Sequence, residues 1–487
     1  MEKVTKKQFA SGAIWKITEQ ISAKGVSFIV SLVLARLLLP ADYGIIAITT
    51  IFTNFSDVLI EGGFSTALIQ KDEVDEYDYS CTFIASLTMA TGLYLLIFIS
   101  APHIADYYAE PILTQVLRVI GLVLFIQAFS STRNAVVHRN MKFKLLFYCN
   151  LIGSLLSGIM GIVAAYQGFG VWSLVLQQLS QQIIVTILLF VKLHWRFKWK
   201  FKKERFKEIV GFSIGVMGAG LLNYIGNSFY NLVIGKRYSI KDLGYSDKGS
   251  QLPMQVSLYT FSSMSSVLLP TLSSYRDNPD TFKRILRKVV SMTSYIVCPM
   301  MFGMAVVSEE LIVLLLTDKW LPALRIMQYA CIYYLATPFM LINVQVFYAL
   351  GHSFLRVKTE IIRLLLMLGG LLIFSFALEC NISQLSLVSA VIAVLTAILT
   401  YYEVRKIISY KCREALRDII RPLLASVIMM VVIGVVNMVL ADFISTSLIL
   451  SLSVKIIAGM SVYIFFSIVW KMDGYVEIKR ALNAIRK

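Results

Sequence analysis

The chain has 487 residues, 57% of them apolar and only 15% charged, with a mean hydropathy of +0.72. A water-soluble globule carries about a quarter charged residues, so the solvent for most of this chain is lipid. The formal charge of +17 then reads as an orientation signal and an attraction to anionic headgroups, and no nucleic-acid partner is implied.

The apolar residues come in blocks of roughly 20 or more, the length a helix needs to cross the bilayer, rather than in the shorter alternating blocks of a barrel. The expected fold class is therefore all-α, a polytopic membrane protein of about fourteen transmembrane helices. The first block begins near Ser11, contains Lys16 and Lys24, and is longer than a signal-peptide core, so it is expected to be a retained first helix. Six spans are expected near 11–39, 43–69, 81–101, 113–133, 145–166 and 170–192, forming an N-terminal lobe over residues 1–193. A basic cytoplasmic linker, 194–207, carries Trp195 and Trp199 among its Lys and Arg residues. A second six-helix lobe, 208–405, has spans near 208–235, 251–273, 289–308, 323–350, 360–378 and 383–403. Residues 406–487 add two helices, near 419–441 and 446–470, and a tail.

Lys and Arg fall on alternate connections, which places both termini in the cytoplasm. The exception is an outer segment holding Lys236, Arg237, Lys241 and Lys248. No connection exceeds about twenty residues, so there is no room for a soluble catalytic domain, and no phosphate-cradling GxxxxGK[ST] motif occurs. The six cysteines are scattered, with neither disulfide nor metal spacing. No enzyme activity, cofactor or metal is expected.

Polar residues inside the spans narrow the function. Lys16, Lys24, Arg36, Arg118, Arg325 and Arg363 lie within apolar blocks, and a charge facing lipid at mid-bilayer costs about 2.5 to 3.5 kcal/mol on insertion scales. Several must face a wet interior. Lys16, Gln20 and Lys24 recur at helical spacing with Glu19 beside them, although Lys16 near a helix end also fits snorkelling. Asn54, Asp57 and Glu61 share one face of the second span, ahead of Gly62 and Gly63. Two carboxylates one turn apart suit a proton- or cation-responsive site, and permanent pairing with Lys24 or Arg118 is the alternative. Asn223, Asn227 and Asn231 in the seventh span, and Gln177, Gln178, Gln181 and Gln182 in the sixth, fit inter-helical hydrogen bonding as well as a sugar-lined cavity.

The stretch Leu34 to Gly44 (LARLLLPADYG), followed by Glu61 to Gln70 (EGGFSTALIQ), resembles the opening helices of the Wzx-type polysaccharide flippases. These form the polysaccharide transporter family of the multidrug/oligosaccharidyl-lipid/polysaccharide exporter superfamily. The likeness continues through Asp242-Leu243-Gly244-Tyr245-Ser246, Leu269-Pro270-Thr271-Leu272-Ser273, Lys319-Trp320-Leu321-Pro322-Ala323 and Ala349-Leu350-Gly351. Family members often carry a basic residue after Tyr-Ser, where this chain has Asp247.

The resemblance implies two six-helix lobes around a central cavity, opening by alternating access. It also implies a lipid-linked oligosaccharide on undecaprenyl diphosphate as cargo, moved across the bacterial inner membrane for O-antigen, capsule or exopolysaccharide assembly. Lys16, Lys24 and Arg118 are the expected cationic lining for the diphosphate, with Asn223 and Asn227 for the sugar; Arg325 and Arg363 are second-lobe candidates. Asp57 and Glu61 are the expected ion-coupling pair for H⁺ or Na⁺. Membrane lipids, and a polysaccharide polymerase with its export machinery, are the other partners implied. A drug or small-molecule exporter of the same superfamily is disfavoured by the basic residues in the spans. A membrane polymerase is disfavoured by the lack of a large outer loop.

Overall fold

A computed structural model describes residues 6–71, 74–140, 142–193, 201–439, 447–477 and 479, and all regular structure among them is helical. In the first part of the chain the order is α1 (Lys6–Leu37), α2 (Pro40–Asp57), a π-helical turn (Val58–Ser65), α3 (Thr66–Gln70), α4 (Glu76–Tyr108), α5 (Ile112–Ile120), α6 (Val123–Arg139), α7 (Phe143–Tyr166), α8 (Val171–Lys192) and α9 (Lys203–Arg237). There follow α10 (Ile240–Ser274), α11 (Pro279–Val306), α12 (Ser308–Leu315), a 3-10 turn (Asp318–Ala323), α13 (Leu324–Ala349), α14 (Ser353–Leu372) with a π-helical end (Ile373–Ala377), α15 (Ile382–Ile408), α16 (Cys412–Val439) and α17 (Leu448–Val469).

Local chemistry sets the boundaries. Pro40 opens α2, where a missing N–H costs nothing, and the Leu39 N–H donates to Asp42 Oδ2 at 2.9 Å. Asp75 caps α4 by accepting from the Asp78 N–H at 2.8 Å, while Asp78 accepts from the Asp75 N–H at 3.1 Å. Ala109, at φ 55°, ends α4 in the left-handed region.

Ten helices among the described residues are long and apolar enough to cross a membrane. The remaining expected spans coincide with α1, α9, α10 and α14, which have the length to cross.

The chain divides into two compact units, Met1–Gly244 and Tyr245–Lys487. In the first, α7 lies between α1 and α8, α4 lies against α6, and α9 packs on the π-helical turn. Two first turns meet in this unit at a paired glycine contact. A Cβ on Gly44 would lie 1.8 Å from the Ile240 carbonyl oxygen, and one on Gly244 would lie 1.9 Å from that of Pro40. The contact is reciprocal: residues 40 and 44 meet 240 and 244, and Asp42 and Asp242 occupy equivalent positions two residues before the glycines. The same Asp-x-Gly pattern, Asp42-Tyr43-Gly44 and Asp242-Leu243-Gly244, thus recurs on both sides of the contact.

The first unit also accounts for part of the basic outer segment. Lys236 donates to the Tyr107 carbonyl at 2.5 Å and sits 4.2 Å from the Tyr107 ring centre, a cation at the C-terminal end of α4. At the other end of this unit, Lys71 bonds Asp78 at 2.8 Å and Glu208 at 3.2 Å. Burial alone would lower the Lys71 pKa; the bonds to the two carboxylates outweigh it and hold the ammonium above its ordinary value.

In the second unit a core of Leu268, Leu272, Phe282, Leu286, Ile342 and Phe347 joins α10, α11 and α13. Met429, Ile433, Leu452 and Tyr463 join α16 to α17. Tyr463 donates to the Tyr295 carbonyl at 2.8 Å, tying α17 to α11. Lys248, in α10, is buried and donates to Gln251 Oε1 at 2.9 Å.

Candidate functional site

The second span is not one regular helix. At Asp57 the α-helical repeat gives way to a π-helical turn that contains Glu61, Gly62 and Gly63 and returns to α-helix at Thr66. Such turns carry one residue more per hydrogen-bonded ring, leave the backbone ladder irregular, and occur preferentially at functional positions. Helix α9 is drawn onto the turn. A Cβ on Gly63 would lie 2.3 Å from Met217 Cε, so a larger residue here requires the Met217 side chain to move.

One to two turns before Asp57, the Tyr224 hydroxyl of α9 reaches the Ile51 carbonyl at 3.0 Å and the Thr50 carbonyl at 3.3 Å. Thus α9 is pinned to the second span on both sides of Asp57. Asp57 Oδ1 is buried and meets no hydrogen-bond partner among the described residues. A buried carboxylate oxygen without a donor is costly as an anion, which favours its holding a proton or a cation.

The other expected site residues fare differently. Glu61 lies in the π-helical turn and Asn223 and Asn227 lie on α9, but their side chains are outside the described ones, as are those of Lys16, Glu19 and Gln20 on α1. Lys24 is described and exposed, on the helix that lies along α7. Arg118, on α5 against α4, stacks 4.2 Å from the Phe98 ring centre and donates from Nε to the Phe98 carbonyl at 3.4 Å. Neither Arg118 nor Lys24 is a bonding partner of the buried Asp57 oxygen. Arg325 donates to Gln328 at 3.3 Å, and Arg363 is buried and bonded to Glu360, which also takes Arg356 at 2.6 Å.

Arg133 and Lys455 are buried charges outside the site residues expected from sequence. Arg133, at the end of the fourth span, is 3% exposed, donates to the Phe129 carbonyl at 2.8 Å and stacks 4.1 Å from the Phe190 ring centre. The polar run Ser130-Ser131-Thr132-Arg133-Asn134 was the available signal. Lys455, a lone cation in the last span, is 4% exposed and ion-paired with Glu310 on α12. A buried lysine requires a carboxylate, and Glu310 supplies it from a segment 145 residues earlier in the chain.

Fold and sequence pattern together define a polytopic, all-helical membrane protein. The chain belongs to the polysaccharide biosynthesis protein family, whose family model matches residues 33–325. It is 24% identical over 309 residues to the succinoglycan biosynthesis transport protein ExoT of Rhizobium meliloti (strain 1021), covering 63% of this chain. The chain spans only 62% of the length of that relative. It is 21% identical over 390 residues to the teichuronic acid biosynthesis protein TuaB of Bacillus subtilis (strain 168), covering 80% of each. In fold it is similar to the lipid II flippase MurJ in its inward closed conformation, with a TM-score of 0.74 and 18% identity over 94% of this chain and 99% of that one.

Proposed function

We propose that this chain is a flippase. It carries an oligosaccharide linked to undecaprenyl diphosphate across the bacterial inner membrane by alternating access, with all fourteen helices crossing and both termini cytoplasmic. The observation that carries the reading is where the polarity lies. Lys16 and Lys24 on α1, Asp57 at the π-helical turn with a buried carboxylate oxygen lacking a donor among the described residues, and Asn223 and Asn227 on α9 put polar groups inside helices of spanning length. Polar spanning helices are tolerated where they face protein or a wet path. A sugar headgroup with a dianionic diphosphate needs such a path, and its polyprenyl tail does not. The names of the relatives and the MurJ-like fold support the same class of cargo.

Within this reading Lys16 and Lys24 hold the diphosphate, and Asn223 and Asn227 bond sugar hydroxyls. Arg118 reaches the cargo only by leaving Phe98. Deleting the gene is expected to accumulate lipid-linked repeat units on the cytoplasmic face. Complementation with Lys24→Ala should restore export poorly at matched protein levels, and with the surface variant Lys203→Ala fully. A deletion strain with no accumulated intermediate would overturn the proposal.

Asp57 and Glu61 couple the cycle to H⁺ or Na⁺. A coupling ion must bind one state better than the other, and a carboxylate oxygen without a donor supplies that difference when its surroundings dry and rewet. In proteoliposomes, Asp57→Asn is expected to abolish the response to imposed pH or Na⁺ gradients while sparing downhill movement. A gradient response equal to wild type removes Asp57 from coupling.

A further inference from the structure

At the ends of α11, α16 and α17 that the topology proposed above puts in the cytoplasm, the second unit holds two adjoining clefts, about 780 and 280 Å³ in volume. In the larger one the basic side chains are mostly committed. Lys283 pairs with Glu414 at 2.6 Å, Lys288 with Glu477 at 2.8 Å, and Arg287 binds Asp418 through Nε and Nη2 at 2.8 and 2.7 Å.

The smaller cleft differs. Its wall includes Arg417 and Arg421, one turn apart on α16, together with Ser291 and the already neutralised Arg287 and Asp418. Arg421 donates to the Trp470 carbonyl at 3.3 Å, and Arg417 has no hydrogen bond or ion pair among the described residues. Like charges at this helical spacing repel unless an anion lies between them. Among the described residues the only other charge on the wall is Asp473, which leaves them a surplus of one positive charge. Outward from the cleft the surface turns apolar, with Leu424, Ile468 and Val469 exposed.

We propose that this cleft binds the phosphodiester headgroup of an anionic membrane phospholipid. One surplus positive charge matches a phosphodiester monoanion, two guanidinium forks suit its oxygens, and the adjacent apolar surface takes acyl chains. Inorganic phosphate shares the first two features and gains nothing from the third. The site is separate from the transport path, so its failure leaves the flippase reading untouched.

The test uses the full-length protein in nanodiscs of mixed phosphatidylglycerol and phosphatidylcholine, with retained lipid counted by native mass spectrometry. Wild type should retain phosphatidylglycerol preferentially, and Arg417→Gln and Arg421→Gln should each lower that preference about five-fold, as expected for one cation at a membrane surface. Asp473→Asn should raise it, an opposite sign that loss of folding cannot imitate, and Lys203→Gln, on the first turn of α9, should leave it unchanged. Equal preference in wild type and both arginine variants overturns the proposal. So does displacement of the retained lipid by millimolar inorganic phosphate, which would make the cleft a general phosphate site.

Discussion

Replacing Glu310 or Lys455 singly is expected to destabilise this protein more than any other loss of a side-chain ion pair. Lys455 is 4% exposed and the Glu310 side chain 13%, and Ser451 adds a contact to Glu310 Oε1 at 3.5 Å. Removing one partner strands the other charge where water cannot reach it, which costs about 3 to 5 kcal/mol in proteins generally. Lys455→Met, which keeps the length of the chain but not the charge, should therefore loosen α17 from α12. The double variant Lys455→Met/Glu310→Gln should recover most of the loss, because it leaves no buried charge. Thermal unfolding of the purified protein in detergent reads both effects. If the single and double variants lose the same stability, the pair is not an electrostatic bond but a packing site, and the assignment falls.

The second large effect is expected at the paired glycines. Nothing larger than hydrogen fits at position 44 or 244, since the added carbon would meet a carbonyl oxygen at 1.8 or 1.9 Å. That obstacle is backbone, so no side-chain rotation relieves it, and the first turns of α2 and α10 must part. Overpacking generally costs about 1 to 3 kcal/mol. Gly44→Ala and Gly244→Ala should each fall at the upper end of that range. The double variant should lose little more than either single one, because the first substitution already separates the two turns. Additive losses, or wild-type stability in either single variant, would show that the two helix ends do not meet in the protein.

Much of this protein was legible because lipid imposes a simple rule on sequence. A spanning helix must be predominantly apolar, so the spans expected to begin near 43 and 170 lie within three residues of the starts of α2 and α8, whereas α4 and α11 begin five and ten residues before the spans expected near 81 and 289. The ordered motifs from Leu34 to Gly351 were enough to identify the family. The local chemistry of caps, as at Asp42 and Asp75, is likewise contained within four residues of chain.

Pairings between distant residues were a different matter, since helical periodicity reports which face a residue occupies and not what lies opposite. Asp57 was expected either to couple an ion or to be neutralised by Lys24 or Arg118. In the structure its Oδ1 is buried without a donor among the described residues. Arg118 was expected to line a cavity, but its nearest partner is Phe98, 20 residues earlier on α4. By itself the sequence determined the class of protein, the order of its helices and its family, because hydropathy, caps and short motifs are local properties. Tertiary structure alone decided which intramembrane charges are paired, where the helix departs from α geometry, and that Gly44 meets the turn holding Gly244, because those depend on contacts between segments as many as 200 residues apart.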